Sequence, residues 1–191
     1  MSEPPQFVAD KSIVLVGLMG AGKTTIGRRL AGRLGLGFID ADSEIEKAAH
    51  CSIPDIFETH GETAFRDLER RVIARLLAQP PHVLATGGGA FMDPETRRLI
   101  AESSTSVWLR ADIEILLKRV ARRHTRPLLE RGDRREILEA LIAERYPVYG
   151  EADVIVDSLD APHDVMVDTV IEALNRYFAE PVRASAAGAG A

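Results

Sequence analysis

Gly17-Leu18-Met19-Gly20-Ala21-Gly22-Lys23-Thr24-Thr25 fits G-x-x-x-x-G-K-[ST], the pattern of a loop that cradles phosphates. The flanks of such a match decide what it means. Before it, Ile13-Val14-Leu15-Val16 is a short β-branched apolar run, the signature of a fully buried strand. After it, Ile26, Leu30 and Leu34 recur at helical spacing. Strand, glycine loop and helix is the arrangement this chemistry needs. Glycines let several N–H groups turn into one anion-sized hollow, and the helix start adds its positive dipole end. Within it, Gly20, Ala21, Gly22 and Thr25 are assigned to the nucleotide phosphates. Lys23 reaches the β- and γ-phosphates as a catalytic point charge, and the Thr24 hydroxyl ligates Mg²⁺. The loop therefore reads as a site for a nucleoside triphosphate and magnesium and leaves the acceptor open.

The rest of the chain limits the options. Its 191 residues suit a single domain with a full core. A net charge of −5 and a pI near 5.6 argue against nucleic acid as the partner. The single cysteine, Cys51, excludes an internal disulfide and fits a reducing cytoplasm. Met1–Pro5 lacks a basic region followed by an apolar run, and no stretch approaches the length of a membrane span. The expectation is a cytoplasmic protein without a membrane partner and, by default, a monomer. The five histidines show no ligand spacing.

Strand-like runs at Ser12–Val16, Gly37–Ile39, His82–Thr86, Ser106–Leu109 and Val154–Val156 alternate with helical periodicity. The helical stretches fall at about 23–34, 62–78, 94–102, 113–122, 134–145 and 164–178. Such alternation predicts an α/β fold, a three-layer sandwich around a five-stranded parallel sheet. Active sites of these sheets lie at the carboxyl ends of the strands.

The residues just past each strand end are therefore informative. Asp40 and Asp42 come after the second, two residues apart, so on an extended chain both carboxylates emerge together. If the second strand neighbours the first, Asp40 approaches Thr24 and joins the metal site, while Asp42 holds or deprotonates an acceptor hydroxyl. The plainer alternative is that one or both cap a helix starting near Ser43. Gly87-Gly88-Gly89 comes after the third strand, more glycine than a turn needs, and points to close backbone approach to a ligand. Glu62, Arg66 and Glu69 share one helical face, either as a solvated ladder or beside a pocket walled by Ile53, Ile56, Phe57 and Phe65. Residues 119–132 hold five arginines broken by Pro127 and ended by Gly132, which reads as a mobile lid closing over phosphates. Arg126, before Pro127, is biased to extended backbone and projects. Arg119 borders the nucleotide base. Arg145, before Pro147, offers a second guanidinium beside Arg66 to clamp an anionic acceptor.

Taken together, these segments resemble shikimate kinases, of the nucleoside-monophosphate-kinase structural group. The likeness runs from about Lys11 to Phe178. It is carried by Gly17–Thr25, Phe38–Asp42, Ile53–Phe57, Gly61–Arg66, Leu84–Gly89, Arg126–Leu129 and Arg145–Tyr149. The resemblance implies transfer of the ATP γ-phosphoryl group to the 3-hydroxyl of shikimate, on the way to chorismate and the aromatic amino acids. It places Asp42, Arg66, Arg145 and Gly87–Gly89 on shikimate, and Arg126 and Arg119 on the nucleotide. Thr24 and Asp40 go to Mg²⁺. Polar, proline-bearing 1–10 reads as a flexible N-terminus and the small-residue 181–191 as a disordered tail, leaving one kinase domain over 11–180. Within that domain the resemblance implies an acceptor-binding segment at about 41–70 and a lid at about 120–132. Members often carry an arginine near Asp157–Asp160 that helps hold the base; this chain has none there. Gluconate kinase, or a catalytically silent nucleotide-binding regulator on the same fold, is the alternative.

Overall fold

The computed structural model describes residues 10–121 and 133–179. Arg126, with nearly all of the expected lid, lies outside the described residues. So do the tail and most of the N-terminus.

Five strands form one wholly parallel sheet: β1 (Ser12–Val16), β2 (Gly37–Asp40), β3 (His82–Ala85), β4 (Ser104–Arg110) and β5 (Val154–Asp157), in the order β2-β3-β1-β4-β5. The helices are α1 (Lys23–Leu34), α2 (Ala41–Ala49), α3 (Ile53–Leu77), α4 (Pro94–Ser103), α5 (Ile113–Ala121), α6 (Arg134–Tyr149) and α7 (His163–Ala179). Alternate strand residues feed two cores. Val14, Val16, Leu84 and Trp108 pack with Ile45, Ile73 and Tyr149 on one face. Ile13, Leu15, Val83 and Val107 pack with Ile26, Met166 and Val170 on the other. Burial on both faces is what a parallel sheet requires, and it makes the expected three layers. Gly27 lets α1 lie close on the sheet, because a Cβ there would stand 2.7 Å from the Phe38 ring and 3.0 Å from Leu15.

Several local expectations change. β2 does not neighbour β1; β3 lies between them. β2 also ends at Asp40, so Asp42 stands in the first turn of α2 and not on an extended chain. Residues 41–49 and 53–60 are helical. Gly61, at φ +78°, kinks α3 where the sequence marks a start, because glycine tolerates the left-handed φ that the kink needs. β4 begins at Ser104 and not Ser106: Ser104, Thr105 and Ser106 are buried although not apolar, and both serine hydroxyls are hydrogen-bonded. α6 runs through Pro147 to Tyr149. No helix among the described residues is long and apolar enough to cross a membrane.

Candidate active site

β1 and β3 are neighbours, so the loops at their carboxyl ends stand side by side at the edge of the sheet. The first is the phosphate loop. Gly17, Gly20 and Gly22 take φ of +138°, +83° and +98°, curling the backbone as only glycine readily does. Gly22 caps α1 without any side-chain acceptor, and the first turn of α1 carries no acidic residue. Helices α2, α3, α4 and α6 each have a side-chain oxygen on their first N–H groups. The start of α1 thus keeps its donors and its positive dipole end for an anion. Lys23 Nζ folds back over the loop and donates to Gly17 O at 2.7 Å and Leu18 O at 3.0 Å.

Asp40 does two jobs. Its Oδ1 accepts from the N–H groups of Asp42 (3.1 Å) and Ser43 (3.4 Å), capping α2, while Thr24 Oγ1 donates to its Oδ2 at 2.9 Å. The capping of α2 and the approach to Thr24 occur together, and Asp40 reaches Thr24 across an intervening strand because α1 brings Thr24 to it. A hydroxyl and a carboxylate this close fit a hard cation such as Mg²⁺, which takes one or two protein oxygens and completes its shell with phosphates and water. No group of three or more His, Cys, Asp or Glu capable of holding a metal occurs among the described residues.

The second loop, Gly87–Gly89, is a meeting point. A Cβ on Gly87 would stand 2.8 Å from Asp42 Oδ1 and 3.1 Å from Glu69 Oε1. One on Gly88 would lie 3.5 Å from Arg145 Nη1, 3.6 Å from Met19 N and 3.7 Å from Gly17 O. One on Gly89 would overlap the Arg66 guanidinium. None of the three has the positive φ that favours glycine. At Gly87 and Gly89 the constraint is crowding by Asp42, Glu69 and Arg66, not backbone strain, while a Cβ on Gly88 would make ordinary contacts.

Arg66 donates from Nη1 to Glu69 Oε2 at 2.6 Å and from Nη2 to Glu62 Oε1 at 3.4 Å, and its guanidinium lies 5.1 Å from the Phe65 ring centroid. Glu62 is exposed, but Glu69 is only 2% exposed. Burial pushes the Glu69 carboxyl above its usual range, opposed by the adjacent Arg66 charge. Phe57 stacks on Phe65 at 4.5 Å between ring centroids and stays partly exposed. Ile56 and Phe65 are core residues.

A cleft of about 480 Å³ joins these parts. Gly20, Gly22–Thr25, Asp40, Asp42, Gly87 and Gly88 line it, continuing past Arg119 to Asp160 and His163. Ala21 is buried beneath it. Arg66, Gly89 and Arg145 adjoin it through the glycine turn. Arg119 lines it with most of its donors committed: Nη1 to Gly20 O, Ala21 O and Ser158 Oγ at 3.3, 3.2 and 2.8 Å, and Nη2 to Leu159 O at 2.7 Å. It ties the phosphate loop to the segment after β5.

A phosphate loop with a crowded glycine turn and a carboxylate beside it describes a small-molecule kinase, and comparison with known proteins names the kind. The shikimate kinase family model matches residues 19–175. The chain belongs to the shikimate kinase family. It is 59% identical over 167 residues to the shikimate kinase of Paramagnetospirillum magneticum, covering 87% of this chain and 86% of that one. The shikimate kinase from Acinetobacter baumannii, solved in complex with shikimate, superposes with a TM-score of 0.84 at 36% identity, over 90% of this chain and 97% of that one. A gluconokinase from Sinorhizobium meliloti shares the fold alone, with a TM-score of 0.58 at 20% identity over 92% and 100% of the two chains.

Within this shikimate kinase family member, the folded chain brings the described residues assigned to nucleotide, Mg²⁺ and acceptor together around two adjacent loops. Two contributors are sharpened by the fold. Glu69, which the sequence leaves between a solvated ladder and a pocket face, sits four residues from Phe65 and four from Ile73, both buried, and packing turns it inward beside Arg66. Tyr149 donates its phenolic hydrogen to Gly88 O, and nothing in its local sequence announces that partner.

Proposed function

We propose that this chain transfers the γ-phosphoryl group of ATP to the 3-hydroxyl of shikimate, giving shikimate 3-phosphate and ADP, a step toward chorismate and the aromatic amino acids. The observation that carries this is the glycine turn, where Asp42, Arg66, Glu69 and Arg145 converge beside a phosphate loop.

In this reading the α1 N-terminus, the loop from Gly20 to Thr25 and Lys23 hold the triphosphate, with Arg119 bordering the base. Thr24 and Asp40 hold Mg²⁺, which, when bound, offsets charge on the phosphate oxygens. Arg66 and Arg145 take the shikimate carboxylate, and guanidinium groups suit it because they can meet its two oxygens together. Asp42 and the Gly87–Gly89 backbone take the ring hydroxyls. The 3-hydroxyl oxygen forms a bond to the γ-phosphorus as the bond from that phosphorus to the β,γ-bridging oxygen breaks. ADP leaves with that electron pair, and the hydroxyl proton passes to the Asp42 carboxylate. Charge on the transferring group is offset by Lys23; Arg126, the lid arginine assigned to the phosphates from the sequence, lies outside the described residues. The protein works as a cytoplasmic monomer, in one kinase domain over about 11–180.

The test is ADP release from Mg·ATP with shikimate, with gluconate and with no acceptor. Release with shikimate alone supports the proposal. Release with gluconate moves the acceptor to the alternative kinase, and none with either leaves a nucleotide-binding regulator.

A further inference from the structure

The carbonyl oxygen of Gly88 is held by two donors at once. Arg145 Nη1 donates to it at 3.0 Å, and the Tyr149 hydroxyl donates to the same atom. Both side chains come from α6, four residues apart and so on one helical face. Tyr149 is fully buried, with its ring 6.3 Å from Phe91, 5.8 Å from Trp108 and 6.2 Å from Tyr146. Burial pushes the phenol up to about 12, so it remains a protonated donor across the neutral range.

A buried phenol needs an acceptor, and many carbonyls would serve for packing alone. The one taken here belongs to the middle residue of the glycine turn, which touches the phosphate loop on one side and the charged residues on the other. Glycine peptides meet little steric resistance to rotation. The carbonyl of Gly88 and the N–H of Gly89 lie in one planar unit, so holding the oxygen also fixes where that N–H points. The turn's own backbone bonds, Ala90 N–H to Gly87 O and Met92 N–H to Gly89 O, do not use it. Committing Arg145 Nη1 to Gly88 also fixes its guanidinium plane, and its Nε is buried without a partner among the described residues.

We infer that Tyr149 is a positioning residue for the acceptor: with Arg145 it locks the Gly88–Gly89 peptide, keeping the Gly89 N–H and the rest of the Arg145 guanidinium aimed at acceptor oxygens. This rests on the reading that shikimate occupies the space beside the glycine turn. Tyr149 touches no substrate; it acts through Gly88.

The experiment is steady-state kinetics on the full chain with Tyr149→Phe and Tyr149→Leu, alongside thermal unfolding without substrates. Phe keeps the ring and removes only the hydroxyl. The expected result for Tyr149→Phe is a shikimate KM raised about threefold to tenfold, the range set by losing one hydrogen bond. The ATP KM and kcat should stay within about twofold, the pattern of lost uniform binding. The unfolding midpoint should move by only a few degrees. A shikimate KM within about twofold of the unmodified chain overturns the inference, above all if Tyr149→Leu alone is impaired, since the ring then matters only as packing. A Tyr149→Phe chain that fails to fold, or whose two KM values rise together, overturns it as well. If the unmodified chain releases no ADP with shikimate, the acceptor reading itself fails. An active chain with an indifferent Tyr149→Phe variant removes only the role given to the hydroxyl.

Discussion

On the phosphate side of the cleft, the residues from Gly17 to Thr25 are contiguous and work through backbone curvature, one helix end and one lysine. On the acceptor side, Asp42, Arg66, Glu69, Gly87–Gly89 and Arg145 come from α2, α3, the loop after β3 and α6. The first region is assembled by local chain geometry. The second depends on long-range packing and on charges brought out of water, the more fragile device because a buried charge that loses its partner is costly. In the proposed reading, phosphate binding rests on a local backbone curl that needs its glycines, whereas selection of the acceptor rests on side chains gathered from distant segments.

Four substitutions test that division. Lys23→Met should cut kcat by roughly 10²–10³-fold, the scale of losing one transition-state charge stabiliser, while leaving shikimate affinity nearly untouched. An ADP-release assay with calorimetric shikimate binding checks both, and a large loss of shikimate affinity would blur the two regions. Asp42→Asn should lower kcat by about 10²-fold, at the lower end of general-base effects because a loose transition state asks for the proton late, with ATP binding little changed. Turnover near that of the unmodified chain would take Asp42 out of catalysis. Arg66→Ala should act mainly on the acceptor, raising its KM by roughly tenfold or more through loss of a charge-assisted pair. An unchanged shikimate KM would break the carboxylate clamp.

Glu69→Gln is expected to have the smallest effect and the most diagnostic pH dependence. The folded carboxyl lies above its ordinary 4.5, so its contribution to stability is complete below 4.5 and is lost as pH rises through the folded value. Relative to the unmodified chain, Glu69→Gln should therefore gain thermal stability as pH rises from below 4.5 to neutral. Its shikimate KM should rise severalfold at neutral pH, because Arg66 loses the charge of its 2.6 Å partner. In the unmodified chain that KM should climb as pH falls toward 4.5, as Glu69 takes up a proton, and the variant should lack that climb. Parallel pH profiles for the two would mean that Glu69 does not hold Arg66 in place.

The five strands and the phosphate loop are legible because period-2 or continuous apolar runs and glycine spacing are properties of adjacent residues. The acceptor residues are also visible as types: paired aspartates, a triple glycine, isolated arginines. Their arrangement is not. Strand adjacency predicts the approach of Asp40 to Thr24, yet β3 separates β1 from β2 and the contact runs through α1. Glu69 reads equally well as part of an exposed ladder, because spacing along a helix tells which residues share a face but not which face is buried. α2 and the first part of α3 fall short of a clear helical signal, being brief segments that stand against the core rather than on strong propensity of their own.

By itself, then, the sequence determined the phosphate-handling chemistry, the α/β architecture and the family likeness, since each rests on neighbouring residues or short motifs in order. Tertiary structure alone decided that Glu69 is dry and paired, that Tyr149 and Arg145 close on one carbonyl, and that Asp42, Glu69 and Arg66 crowd the turn at Gly87 and Gly89. Those are contacts between segments tens of residues apart, and only packing sets their distance, burial and charge.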